Sequence, residues 1–334
     1  MNHNIDDIIQ KISKVVAAHQ LEKDGTYARW RWQNVEQNRE LGINEYGCAD
    51  AVNILYTIGE FPKDLKLRQS CINALQGLQN QETGLFVEKT HHPIHTTAHC
   101  IAALELFDAK PLYPIKELLQ YANNTGIWNF LESLDWKNNP WNESHKGAGI
   151  FAALVLSDSV DKSWMDTYFE WLWENADPET GFWKKDMVNG GGAPKFHHLA
   201  SSFHYLFNHE YVRRPLRYPE KVIDTCIDMY QADDMNGQFG RLIGFAEIDW
   251  VYCITRASRQ TPHRFDECRR ILQSFATDFF DYLRSLDTDK DDGFNDLHAL
   301  FGTVCALAEL QQALPGFIQT KKPLRLVLDR RPFI

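Results

Sequence analysis

The chain lacks any apolar run long enough for a membrane span or the core of a secretory leader. Its first residues, Met1 to Asp7 (MNHNIDD), are polar, so a cytoplasmic protein with no membrane span is expected. Runs of Lys and Arg are also missing, and the 334 residues carry a formal net charge of −10. Contacts to phosphates need a basic face, so no nucleic-acid partner is expected. The sharpest basic pair, Arg330–Arg331, reads as a solvated tail. The seven cysteines (48, 71, 100, 226, 253, 268, 305) are odd in number and contain no CxxC pair. They read as reduced, buried small hydrophobes rather than a disulfide framework. HExxH is absent, and Asn189-Gly-Gly-Gly192 lacks the Lys of a phosphate loop.

What the chain does have is aromatics, at 13% with ten Trp. That richness implies either a thick core or a cavity lined with rings. Six segments share a pattern of a polar or His-bearing start followed by an Ala-rich apolar helix: 47–59, 95–107, 144–156, 195–207, 244–257 and 295–310. They recur about every fifty residues, a period typical of helical repeats. A helix apolar nearly all round is buried on both sides. Between them lie amphipathic stretches at 5–19, 64–79, 114–134, 161–176, 218–231 and 264–286, with helical spacing and one polar face. Asp64 and Asp161 fit as N-caps. The expected architecture is therefore all-α, an (α/α)6 toroid of six helix pairs forming one domain over 1–334. The apolar inner helices continue to both ends of the chain, which favours closure over an open solenoid. Long links gather where the inner helices begin, and the cavity is expected at that end.

Four of these links repeat a polar lead, a Gly and an aromatic: Gln79…Gly84-Leu-Phe86, Asn175…Gly181-Phe-Trp183, Gln231…Gly237-Gln-Phe239 and Asp287…Gly293-Phe294. Gly permits a positive-φ turn, and the aromatic pins the loop onto neighbouring helices. The pattern resembles the repeat of the terpenoid cyclase/protein prenyltransferase superfamily. That resemblance implies an α/α toroid and isoprenoid cyclase-like or prenyltransferase-like chemistry on a small or lipid-like substrate. Asp289-Lys-Asp-Asp292 matches the letters of the cyclase acid motif but sits in a turn, where a solvated acidic loop is expected. The Asp, Cys and His that hold zinc in protein prenyltransferases have no counterpart that can be assigned residue by residue.

Superposing the inner helices on their apolar cores puts His95, His145 and His298 at one level, the helix starts. Asp50, Asp249 and His99 fall one turn deeper. Taken singly, a His at a helix start is most simply a cap. Several imidazoles and two carboxylates converging on one cavity cost desolvation energy unless they bond one another or a ligand. Asp50, His95, His145, Asp249 and His298 are thus the candidate acid/base residues. Tyr46, Trp141, Trp183, Phe196, His198 and Trp250 are the candidate substrate-binding residues. His95 and His99, four apart on one helical face, have spacing that can hold zinc, with His91 and His92 in the loop before them. Arg29 and Arg31 fit an anion clamp or a packed surface loop.

Two other readings stand beside the isoprenoid one. A carbohydrate-active hydrolase, lyase or epimerase acting on an oligosaccharide would use Trp for stacking and a pair such as Asp50 and Asp249 for chemistry. A non-catalytic binding toroid would use the same residues structurally. A deep apolar cavity favours the first, an open polar groove with exposed Trp the second, and a centre filled by side chains the third.

Overall fold

The computed structural model describes residues 2–33, 39–235 and 237–334. It is predominantly helical. The helices are α1 (Asp6–His19), α2 (Glu45–Thr57), α3 (Leu65–Gln76), α4 (Pro93–Glu105), α5 (Asn124–Ser133), α6 (Pro140–Leu156), α7 (Lys162–Asn175), α8 (Lys195–Tyr211), α9 (Pro219–Gln231), α10 (Ala246–Ser258), α11 (Phe265–Ser285), α12 (Asp292–Asn295), α13 (Leu297–Ala313) and α14 (Val327–Arg330). A 3₁₀ turn, Lys116–Tyr121, precedes α5, so the stretch expected as one helix over 114–134 is divided at Ala122–Asn123. The short β1 (His3–Asn4) pairs in parallel with β2 (Ile318–Gln319). No described helix is long and apolar enough to cross a membrane.

The six apolar segments are α2, α4, α6, α8, α10 and α13, and nearly every residue in their middles is buried. Their packing order closes on itself: α2 on α4, α4 on α6, α6 on α8, α8 on α10, α10 on α13, and α13 back on α2. The amphipathic helices bury one stripe each against this circuit. In α11 that stripe is Cys268, Leu272, Phe275, Ala276, Phe279, Phe280 and Leu283, a 3.6-residue period. Local sequence sets where several of the helices begin. Asn44 accepts from Tyr46 N at 2.8 Å and starts α2; Asp64 and Asp161 cap α3 and α7 as expected. Removing such a cap costs about 1 kcal/mol.

The repeated turns have the predicted conformation at three of four sites. Gly84, Gly181 and Gly237 have φ of 78°, 76° and 78°. A side chain at Gly84 would also meet the Pro114 carbonyl. Gly293 instead falls within α12. Asn236, in the third turn, lies outside the described residues.

Tryptophan serves mainly as wall between the layers. Trp164, Trp171, Trp183 and Trp250 are buried, and their indole N–H groups donate to Tyr121 O, Glu132 Oε1, Leu172 O and Cys226 O. A buried indole needs such an acceptor. All seven cysteines are buried and free.

One expectation is overturned. The Arg330–Arg331 tail is not solvated: Arg331 is 0% exposed, as is Phe333, and Ile334 is 1% exposed. The tail crosses the ends of the inner helices, with Arg325 N bonded to Thr57 O and Arg330 to Glu105 and Asp108. It then enters the circuit, where Phe333 packs on Phe207 and His95 at 5.6 and 4.9 Å between ring centres. Charge alone marked this pair as surface; the apolar Phe333–Ile334 beyond it decides otherwise.

Candidate active site

The starts of the inner helices surround a cavity of about 180 Å³ lined by His91, His95, His145, His204 and His298, with Trp141, Asn142, Phe245 and Ile334 completing the wall. Helical register explains the convergence. His91, His95 and His99 recur at four-residue intervals, so they stack along one face of α4 and the loop before it. His298 lies in the first turn of α13, His145 in the second turn of α6, and His204 midway along α8. Adjacent rings lie close: His91 to His95 at 4.7 Å, His95 to His145 at 4.6 Å and His145 to His204 at 4.8 Å between centres.

Most of these imidazoles are held by one nitrogen from behind. Tyr46 Oη lies 2.6 Å from His95 Nδ1. Asp50 Oδ2 lies 2.9 Å from His298 Nδ1, and its Oδ1 lies 2.7 Å from His99 Nε2. Thr90 Oγ1 lies 2.7 Å from His91 Nδ1, and Glu88 Oε2 sits 3.7 Å from the same nitrogen. The Ala200 carbonyl lies 2.8 Å from His204 Nδ1. Nε2 of His91, His95, His204 and His298 is then the nitrogen left over.

Electrostatics keep the rings neutral. Burial, reinforced by neighbouring imidazoles, holds His95, His145 and His298 well below the ordinary histidine range. Burial does the same to His99, with the Arg331 charge adding to it, and lowers His204 to about 3. Burial also raises the Asp50 carboxyl, which Arg331 and Arg29 oppose. For Glu88, burial is outweighed by the nearby His91, by its bonds from Thr90 and by Arg29, holding it at about 2. A neutral imidazole with an open nitrogen accepts a proton or binds a metal.

Of the residues expected at the site, His95, His145, His298 and Trp141 line the cavity. Asp50 and Tyr46 sit directly behind, fully buried, orienting His298 and His95. Phe196 packs edge-on against Trp141. Trp183 and His198 lie elsewhere, with His198 Nδ1 3.4 Å from the Trp183 carbonyl. Trp250 faces outward onto Tyr230, Phe239 and Phe275. Asp249 is buried, and neither of its oxygens has a hydrogen-bond partner among the described residues. Among the described residues His95 and His99 belong to no common group of three or more: the groups with ligand atoms within 4.8 Å of one another are His91–His95–His298, His95–His145–His204 and Asp50–His99–His298.

His204 lies two turns deeper in α8 than the level at which the repeats place His95, His145 and His298, so the equivalence of the helix starts gives no sign of it. The signal for His91 was its four-residue spacing from His95. Arg29 is no anion clamp but a packed side chain, bidentate to Asp296 at 2.9 and 3.0 Å. Asp289 is exposed against Arg31, and Asp292 pairs with Arg39, so the acidic turn is a rim feature. No family model, curated protein or solved structure matches the chain.

Proposed function

We propose that the protein is a single-domain (α/α)6 toroid and an enzyme that handles protons on a small polar substrate in its central cavity. The carrying observation is the pair formed by Asp50 and His298: a buried carboxyl group fixes one ring nitrogen, and the imidazole lines the cavity. This is the base-and-orienter arrangement of general acid–base catalysis, in which positioned groups contribute roughly 10²–10⁴-fold. The cavity volume supports a monosaccharide-sized ligand over a long isoprenoid, since about 180 Å³ lies below the range of roughly 300–1,000 Å³ usual for larger ligands. Trp141 and Phe245 on its wall supply flat apolar faces, as a sugar ring or other small ring requires. The resemblance in the Gly-aromatic turns supports the toroid and bears less on the substrate.

The test is an untargeted one. Untagged protein is incubated with a small-metabolite extract supplemented with monosaccharides and oligosaccharides, and depletion is followed by mass spectrometry. The expected result is consumption of at least one polar compound, slowed roughly 10²-fold or more in Asp50→Asn. Equal consumption by the wild type and Asp50→Asn, or consumption of no compound, would sink the reading.

A further inference from the structure

We infer that His91, His95 and His298 form a binding site for one divalent transition-metal ion of the zinc class. The inference rests on the cavity being the working site and specifies what the imidazoles do there. Three observations carry it. First, the three residues offer nitrogen atoms all within 4.8 Å of one another, from the loop before α4, from α4 and from α13. Second, Nδ1 is engaged in all three, in His91 by Thr90 with Glu88 behind, in His95 by Tyr46 and in His298 by Asp50, which leaves Nε2 of each for an ion. Metal-ligating histidines characteristically use their second nitrogen in this way, which fixes the ring and raises its basicity. Third, five imidazoles line one small cavity, and no Asp or Glu side chain among the described residues does.

The donor set selects the ion. Nitrogen-only ligation suits zinc, copper, nickel or iron, whereas calcium and magnesium require oxygen ligands. Three His ligands also leave a coordination position open, as catalytic sites do and structural ones do not. Asp50 lies one hydrogen bond behind His298, and the Glu88 carboxylate stands behind His91 through Thr90, where its charge offsets part of the ion's. The alternative group through His145 and His204 is less complete, because neither nitrogen of His145 has a hydrogen-bond partner among the described residues. His95 has one free nitrogen and serves one ion. His145 and His204 therefore stand beside the ion as proton-handling neighbours. An ion here lowers the pKa of bound water and so supplies a nucleophile or base at neutral pH. The third group, Asp50–His99–His298, is explained without an ion, by the two hydrogen bonds that Asp50 already makes.

The site is tested on untagged protein stripped with chelator and titrated with zinc and with cobalt(II). Elemental analysis and the cobalt visible spectrum are read, and thermal stability is followed in parallel. The expected result is one ion per chain, a cobalt d–d band without a thiolate charge-transfer band, and a rise in melting temperature on adding zinc. His95→Gln and His298→Gln should abolish stoichiometric binding, and Asp50→Asn should weaken it about 10–100-fold. His209→Gln, a buried histidine outside the cavity, should bind as the wild type does. Circular dichroism establishes that each variant is folded, and His91→Gln, at the less buried ligand, serves if the deeper variants are not. Failure of the wild type to bind either ion, or binding undiminished in His95→Gln and His298→Gln, would overturn the site. Turnover that persists in metal-free protein would overturn the metal and leave the enzyme reading intact. Stoichiometric binding with no substrate consumed would do the reverse.

Discussion

At one end of the six-helix circuit Arg256, Glu309, Glu210 and Asp329 bring their charges together beneath the chain's own tail. Arg256 Nε lies 3.1 Å from Glu309 Oε2, and its Nη1 lies 3.1 Å from Glu210 Oε2 and 2.5 Å from Asp329 Oδ1. At the other end, where the inner helices begin, five imidazoles meet in a cavity and most hold a nitrogen in reserve. Both ends bury titratable groups. In the first the groups satisfy one another and hold the tail in place; in the second they are held from behind and left open in front. Unpaired polar atoms in a buried place are costly, so the open end marks where a ligand belongs and the closed end marks where stability is kept.

The largest expected effect comes from breaking the closed end. Arg256→Met leaves Glu309, whose side chain is 3% exposed, without its main cation. It should cost about 3–5 kcal/mol in urea unfolding. Arg256→Met combined with Glu309→Leu should recover most of that loss, because the most deeply buried of the uncompensated charges is then gone, Glu210 and Asp329 being more exposed. A double variant as unstable as the single one would show that the tail, rather than the charge, dominates.

A smaller effect sharpens the contrast from the open end. Burial raises the Glu247 carboxyl at the start of α10 to about 8, and its Oε2 has no partner among the described residues. Between an unfolded value near 4.5 and a folded value near 8, the folded chain keeps a proton that the unfolded chain has released. Stability therefore falls as pH rises through that window and levels off above it. Glu247→Gln should flatten this dependence and stabilise the protein by on the order of 2 kcal/mol at pH 9, read by denaturant unfolding at several pH values. An unchanged pH profile would mean that Glu247 is solvated. The smallest effect is expected on the rim of the same end: Asp289→Asn should change stability by less than about 0.5 kcal/mol. It should also leave turnover of any substrate found intact, which a cyclase-type acid would not allow.

Most of the helix plan was legible in the sequence, because an apolar period of 3.6 and a capping Asp or Asn are local signals. The division of 114–134 was harder to see, since the break at Ala122–Asn123 carries no Gly or Pro. The candidate site was legible in part. His95, His145 and His298 share a level because they sit at equivalent places in equivalent repeats. His204 reaches the same cavity from two turns further along α8, and alignment of helix starts gives no sign of it. Trp250 and Asp249 adjoin in sequence, yet Trp250 stacks on the outer layer, while Asp249 is fully buried and is not among the residues that line the cavity. Neighbours on a helix point about 100° apart, so placing one does not place the other.

The sequence by itself determined which segments are helices, which are buried on both sides and where the chain turns, because each depends on residues within a few positions of one another. Tertiary structure alone decided that Tyr46 and Asp50 stand behind the histidines rather than among them. It also decided that His91 and His204 belong to the cluster, and that Phe333 and Ile334 enter the circuit. Those outcomes depend on contacts between residues some 50 to 250 positions apart, which only the closed packing of the helices brings within a hydrogen bond's reach.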